Sequence, residues 1–448
     1  MNIFFVYSCI SILAITNVVA QNSTVNIPIV TADIAVLLRA NTNGDISVIY
    51  IGKRLQKDAD YASMPNFDGD GDYSGLYSSA YTTSGTRNLL EPAIQVVHAD
   101  GNPSLELKYV RYQQNRTDPQ TNITLTTIYL KDPIYPFDVT LNYKAYYDTN
   151  VIEQWSTIQH SETGVVVLQK YCSANLYFAS AHNYYLTHFH GDWAQEMRPV
   201  EIPLTPGIKV LDTKLGTRAD MFQPPSFIIS FNQPINFDDD DQGEILAGNL
   251  AWTGNYQIQF EIDPVRNLAG INPYASEYYL AAGKEFVTPS FLFTYSAHGL
   301  GTVSRNWHRW ARKHRIPLGE NTRMTLLNNW ETTYFDFNET ALTSLMKIGK
   351  NLGVDLFLLD DGWFGNKYPR DNDYQGLGDW QENVKKLPHG ISYLTDAAQT
   401  LGIKFGIWIE PEMVNPKSEL YENHLDWVIR QPNRPEYYFR NQLPLDLS

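Results

Sequence analysis

The hydrophobic pattern of this chain changes period once, near Leu300, and that change limits the folds open to it. From about Gln21 to about Tyr295, apolar and polar residues alternate in twos. FDVTLNYKAYYDTNVIEQWSTI (Phe137–Ile158) and ANLYFASAHNYYLTHF (Ala174–Phe189) show it best, and Asn, Asp, Gly and Pro punctuate the runs at short intervals. Alternation of this kind makes strands with one face buried, and the stretch predicts a large antiparallel β-sandwich. Past Leu300 the pattern becomes helical, then mixed. VSRNWHRWARKHRI (Val303–Ile316) reads as a helix with Trp307 and Trp310 three apart. MTLLNNW (Met324–Trp330), VDLFLLDDGW (Val354–Trp363) and KFGIWIEPEM (Lys404–Met413) read as strands. The helices between them are NETALTSLMKIGKNLG (Asn338–Gly353), with an Asn cap and a terminal Gly, and ISYLTDAAQTLG (Ile391–Gly402). Continuous apolar strands alternating with helices mean parallel strands buried on both faces, the opening of a β/α barrel. Three strands of eight cannot close one, and the residues after Met413 are too few to supply the rest. The expected class is therefore α+β multidomain. Residues 21–300 form the sandwich, 301–323 a linker helix and connection, and 324–448 the N-terminal part of an incomplete (β/α)8 TIM barrel.

Composition bounds the partners. A net charge of −15 argues against nucleic acid and anionic membranes, whose phosphates are gripped by clustered Lys and Arg. The first 20 residues carry no charged side chain, hold an apolar run from Ile3 to Ile15, and end Val18-Val19-Ala20. They predict a cleaved secretory signal, since the run is short for a bilayer span. Secretion gives meaning to the glycosylation sequons at Asn22, Asn115, Asn122 and Asn338. Cleavage would remove Cys9 and leave Cys172 as a lone thiol, expected to be buried.

Function in a β/α barrel sits at the C-terminal ends of its strands. Here those ends read Asn328-Asn329-Trp330-Glu331, Asp360-Asp361-Gly362-Trp363 and Trp408-Ile409-Glu410-Pro411-Glu412. Carboxylates accept from hydroxyl pairs, amides donate and accept, and an indole covers the apolar face of a pyranose. The combination suits a sugar. No phosphate-cradling Gly-rich motif competes, and no cofactor is expected.

In this order, LLNNWETTYFDFNE, LFLLDDGWFG, GDWQENVKKLPHGI, KFGIWIEPEMVNPKSELYENHLDWV and RNQLPLDLS resemble the α-galactosidases of glycoside hydrolase family 36. The strong match covers Thr325 to Ser448, and a weaker one runs through the sandwich, including INPYASEYYLAAGKEFVTP and HGDWAQEM. The resemblance implies a retaining hydrolase of terminal α-linked galactose, as in melibiose, raffinose or galactomannan side chains. Its double displacement uses two carboxyl groups about 5–5.5 Å apart. Carried over by position, Asp360 and Asp361 would bind galactose hydroxyls, the axial 4-hydroxyl and the 6-hydroxyl first. Trp330 and Trp408 would shape the pocket, and Arg440 would reach it from the loop before the final segment. Trp193, in HGDWAQEM, would approach from the sandwich, and Asp68, in PNFDGD, would match an aspartate supplied by a neighbouring subunit of a homotetramer.

The family's nucleophile lies in a Lys-Trp-Asp motif downstream of the segment that matches NQLPLDLS, and its acid/base further on. Neither Lys-Trp-Asp nor Lys-Tyr-Asp occurs in these 448 residues. The expectation is a fragment that lacks both catalytic carboxylates and is inactive alone. A non-catalytic galactose-binding protein is the alternative from another class. α-N-Acetylgalactosaminidase or a galactosyltransferase on the same scaffold is another. Other clusters read blandly. Glu410 and Glu412 are taken as supporting carboxylates rather than a catalytic pair. DGDGD (Asp68–Asp72) departs from a calcium loop, with Tyr73 where Gly is needed and Ser79 where Glu is needed. Asp238–Asp241 reads as a solvated acidic loop, and His182, His188 and His190 lack a further ligand at fitting spacing, so no metal is expected.

Overall fold

A computed structural model describes residues 23–65, 78–85, 88–118, 121–178, 183–214, 216, 222–236, 241–262 and 266–448. The chain divides into two compact units, Met1–Glu320 and Asn321–Ser448. The leader, Asn22, Asp68 with the rest of DGDGD, His182 and Asp238–Asp240 lie outside the described residues.

The first unit is the sandwich that the alternation predicts. Among the described residues, its larger sheet has ten antiparallel strands. The long hairpins at one end, Lys108–Asp118, Ile123–Lys131, Phe137–Tyr146 and Val151–His160, pair in sequence order. A six-stranded sheet built on Val166–Tyr177, Tyr256–Ile262 and Arg266–Ile271 faces it. The inward side chains of both sheets merge into one core, where Phe227 of the larger sheet meets Phe260 of the smaller edge-on at 4.9 Å between ring centroids. A three-stranded sheet, Val25–Val30, Ile34–Ala40 and Ile46–Lys53, contributes Ile27, Val36 and Leu38 to the same core. Cys172 is a buried free thiol, and burial pushes its pKa up. His188 is held below the ordinary imidazole value by burial, then by Lys209 and His190. Among the described residues no three metal-ligating side chains gather. Asn115 is exposed on its strand, while the amide of Asn122 donates to Asp148 at 3.0 Å.

The helix expected between the domains spans Gly299–Trp310 and packs on the first unit's sheet. Val303 joins Ile245 and Ala247, and the two tryptophans lie against Ile123, Tyr146, Val151 and Leu292. The three-residue spacing of Trp307 and Trp310 thus marks a helix face docked on strands, and a turn of π-helix, Ala311–Arg315, follows.

The second unit holds three parallel strands in sequence order, Leu326–Asn328, Leu356–Leu359 and Lys404–Ile407. Their registers align Asn328 with Leu358 and Leu359 with Ile407. Helices Glu339–Asn351 and Gly390–Leu401 connect them and cover one face, where Leu342, Met346, Leu394 and Ala398 pack on Phe357 and Leu359. The strands are shorter than the apolar pattern suggests, because ladder pairing stops where the polar residues begin. Residues 360–389 form an unusually long connection, and stretches beyond about 12–15 residues without regular structure are commonly functional. Its Trp363, Phe364, Leu377 and Leu387 anchor it in the same core as the strands and helices.

Candidate substrate-binding site

Asp360 stands at the end of the middle strand, held from three sides. The amide of Asn328, on the neighbouring strand, donates to its Oδ2. Its backbone N–H donates to Asn329 Oδ1 at 2.8 Å, and the N–H of Asp361 donates to its Oδ1 at 2.7 Å. Of the two asparagines of LLNNW, Asn328 therefore holds the carboxylate and Asn329 the backbone that carries it. Asn328 Oδ1 also accepts from the N–H of Trp330 at 2.7 Å, which ties that indole's backbone to the same strand end. Trp330 then meets Tyr334 and Phe335 edge-on, at 5.2 and 5.0 Å.

Asp361 turns the other way, and its buried carboxylate is gripped by Arg370. Nε of Arg370 lies 3.0 Å from Oδ1, and Nη2 lies 2.8 Å from Oδ2. A fork of this kind fixes a carboxylate plane as a point charge cannot, and it leaves lone pairs free for sugar hydroxyls. Gly362 follows with φ +101, where a Cβ would meet Phe335 at 3.1 Å and the Arg370 carbonyl at 3.3 Å. Glycine at this point lets the chain swing from the carboxylates into the core at Trp363.

Trp408 follows the third strand, and its N–H donates to Leu359 O at 2.8 Å, next to Asp360. Its carbonyl accepts from the indole N–H of Trp363 at 3.0 Å, and its ring meets Trp380 at 6.2 Å. Arg440 comes from a tight turn. Phe439 and Gln442 exchange both backbone hydrogen bonds, at 3.1 and 2.9 Å, around Arg440 and Asn441. Both central residues have positive φ, 50 and 62, the geometry of a type I′ turn. Arg440 Nη2 lies 4.0 Å from Asp373 Oδ1.

The second unit thus brings together Asp360, Asp361, Trp330, Trp408 and Arg440. Trp193 belongs to the first unit, on the turn after strand Tyr184–His190, with 78% of its surface exposed. Arg370 and the fully buried Asn415 are absent from the sequence reading. Asn415 Oδ1 accepts from Arg370 Nη1 and from the Leu377 N–H, both at 3.0 Å. Its Nδ2 donates to the carbonyls of Asp373 at 3.1 Å and Asn441 at 2.9 Å. Lys386 braces the same loop through the carbonyls of Phe335 and Gly362, at 2.8 and 2.9 Å. Lys386 and Asn415 lie inside the quoted segments GDWQENVKKLPHGI and KFGIWIEPEMVNPKSELYENHLDWV, while Arg370 is marked only by the length of the 360–389 connection.

The pattern of the glycosyl hydrolase family 36 N-terminal domain matches residues 44–281, more than half of the chain. The chain belongs to glycoside hydrolase family 36. The Melibiase family matches residues 285–448, which contain every part of the site above. The α-galactosidase AgaA of Geobacillus stearothermophilus is 34% identical over 386 residues, 82% of this chain and 52% of that protein. α-Galactosidase Mel36A of Lactobacillus acidophilus is 30% identical over 448 residues, 93% of this chain and 59% of that one. The crystal structure of the Lactobacillus brevis α-galactosidase superposes with a TM-score of 0.86 at 29% identity, covering 96% of this chain and 60% of its own. AgaA in complex with raffinose gives 0.85 at 30% identity, covering 94% and 61%. This family 36 chain therefore spans between half and three fifths of the length of these relatives.

Proposed function

We propose that these residues belong to a retaining α-galactosidase and hold the terminal galactosyl residue of substrates such as melibiose, raffinose or galactomannan side chains. The observation that carries the reading is the pair of strand-end carboxylates, one held by Asn328 with its backbone held by Asn329 and the other by an arginine fork, bordered by Trp330, Trp408 and Arg440. Solved relatives named as α-galactosidases, one of them bound to raffinose, support it. Asp360 and Asp361 accept from the axial 4-hydroxyl and the 6-hydroxyl, the indoles cover the apolar sugar face, and Arg440 closes the pocket.

Adjacent strand-end residues that diverge, one toward Asn328 and one toward Arg370, cannot attack one side of the anomeric carbon and protonate the leaving oxygen from the other. The nucleophile and acid/base are assigned to no residue of this chain. Cleavage of residues 1–20, secretion, glycans at Asn22, Asn115, Asn122 and Asn338, and assembly as a homotetramer complete the proposal, with Trp193 and Asp68 as further sugar contacts. The test has two steps. Galactose binds in calorimetric titration and its 4-epimer glucose does not. A chromogenic α-galactoside is hydrolysed by protein that joins these residues to the family's Lys-Trp-Asp segment, and not by residues 21–448 alone. Turnover by residues 21–448 would overturn the assignment and direct attention to Glu410 and Glu412.

A further inference from the structure

We propose that Asp373 and Arg370 are positioning residues that lock Arg440 to Asp361, so that guanidinium and carboxylate meet one sugar in fixed register. The proposal rests on the reading of this site as a galactose pocket. Four charges alternate in sign along a line: Asp361, Arg370, Asp373, Arg440. Arg370 Nη2 lies 2.8 Å from Asp361 Oδ2 and 3.4 Å from Asp373 Oδ1. The same oxygen of Asp373 lies 4.0 Å from Arg440 Nη2. Side-chain exposure is 0% at Arg370 and 8% at Asp361, then 46% at Asp373 and 57% at Arg440. The line therefore leads from the core of the site to its rim.

A second brace runs alongside through the backbone. Asn415, fully buried, accepts from Arg370 and donates to the carbonyls of Asp373 and Asn441. Arg440 and Asn441 both sit in the left-handed region, uncommon for an arginine. Such a conformation persists where its surroundings over-determine it, and it concentrates at ligand clamps. Here the over-determining group is the asparagine that also holds Arg370.

The outer, exposed half of the arrangement contributes more to register than to stability. An ion pair as exposed as Asp373 with Arg440 stabilises a fold little, so Asp373 can be neutralised without unfolding the unit. Its loss frees Arg440 to turn toward Glu410 and Glu412, the other carboxylates of that strand end. Arg370 is different, because lysine keeps its charge and loses the fork.

The test is a double-mutant cycle on galactose affinity, measured by calorimetry beside thermal midpoints. Asp373→Asn is expected to melt within a few degrees of the parent and to bind galactose about tenfold more weakly, the scale of one charge-assisted hydrogen bond. In an Arg440→Ala background the same change is expected to cost no more than about twofold, because its effect passes through Arg440. Arg370→Lys is expected to weaken binding at least as much as Asp373→Asn. A parent that binds galactose, with Asp373→Asn binding equally or losing the same factor in both backgrounds, overturns the proposal alone. A parent that binds no galactose overturns the sugar-site reading and this proposal with it.

Discussion

Asp360 and Asp361 are neighbours with opposite fates, and the difference is testable one residue at a time. Asp360 is half-buried and held by neutral groups, so Asp360→Asn leaves the fold nearly intact. It is expected to weaken galactose binding about tenfold to a hundredfold, the range for hydrogen bonds to a charged group. Asp361→Asn strands a buried guanidinium. Breaking such a pair from one side costs about 3–5 kcal/mol, which chemical denaturation of the second unit reads directly. Glu410 carries a pH prediction. Burial, then Glu412 and Asp361, push its carboxyl above the usual range, against the opposing pull of Arg440 and Arg370. A carboxyl raised on folding stabilises the fold below its unfolded pKa, and that contribution is lost as pH rises through the folded value. Glu410→Gln, an approximate isostere of the protonated acid, is therefore expected to raise the melting midpoint at neutral pH. The gain should fade as pH drops below the ordinary glutamate pKa of about 4.3, where the carboxyl is protonated in both folded and unfolded chains.

Elements in the second unit are ended by local chemistry that needs no partner. Asn338 caps helix Glu339–Asn351 by accepting from the Ala341 N–H at 3.0 Å. Helix Gly390–Leu401 ends at Gly402 with φ +66, where a Cβ would meet nothing nearer than the Lys350 ammonium at 3.8 Å. Space is not the constraint there, so Gly402→Ala isolates the backbone cost of a left-handed cap, about 1 kcal/mol, readable as a lower urea midpoint. Both caps are visible in the sequence, Asn before the first turn and Gly after the last. The strand ends are less so. WIEPEM continues the apolar pattern of KFGI, yet pairing stops at Ile407, because the sheet ends where Trp408 and Glu410 leave it for the site.

At the scale of the molecule, one prediction joins fold to cell biology. In a secretory host Asn338 is expected to carry a glycan that shortens the chain's mobility until it is enzymatically removed. Asn338→Asp abolishes that glycan while keeping the helix cap, since a carboxylate caps as well as an amide. Loss of one glycan step on a gel with an unchanged melting midpoint is the expected result, and an unchanged gel pattern would refute it.

The sequence alone determined the period change near Leu300, hence a sandwich followed by parallel strands, and it determined which strand ends carry carboxylates, amides and indoles. Those signals are local: alternation, an apolar run, a cap, Asp-Asp-Gly. Tertiary structure alone decided how the carboxylates are held. Arg370 reaches back nine residues to Asp361, and Asn415 lies 45 residues beyond the arginine it binds. Polar pairs across such separations leave no periodicity to read, because hydrogen bonds are set by where loops meet and not by spacing along one element. The same holds for the helix Gly299–Trp310, whose Trp307 and Trp310 pack on the first unit's strands and so withdraw part of two indoles from water.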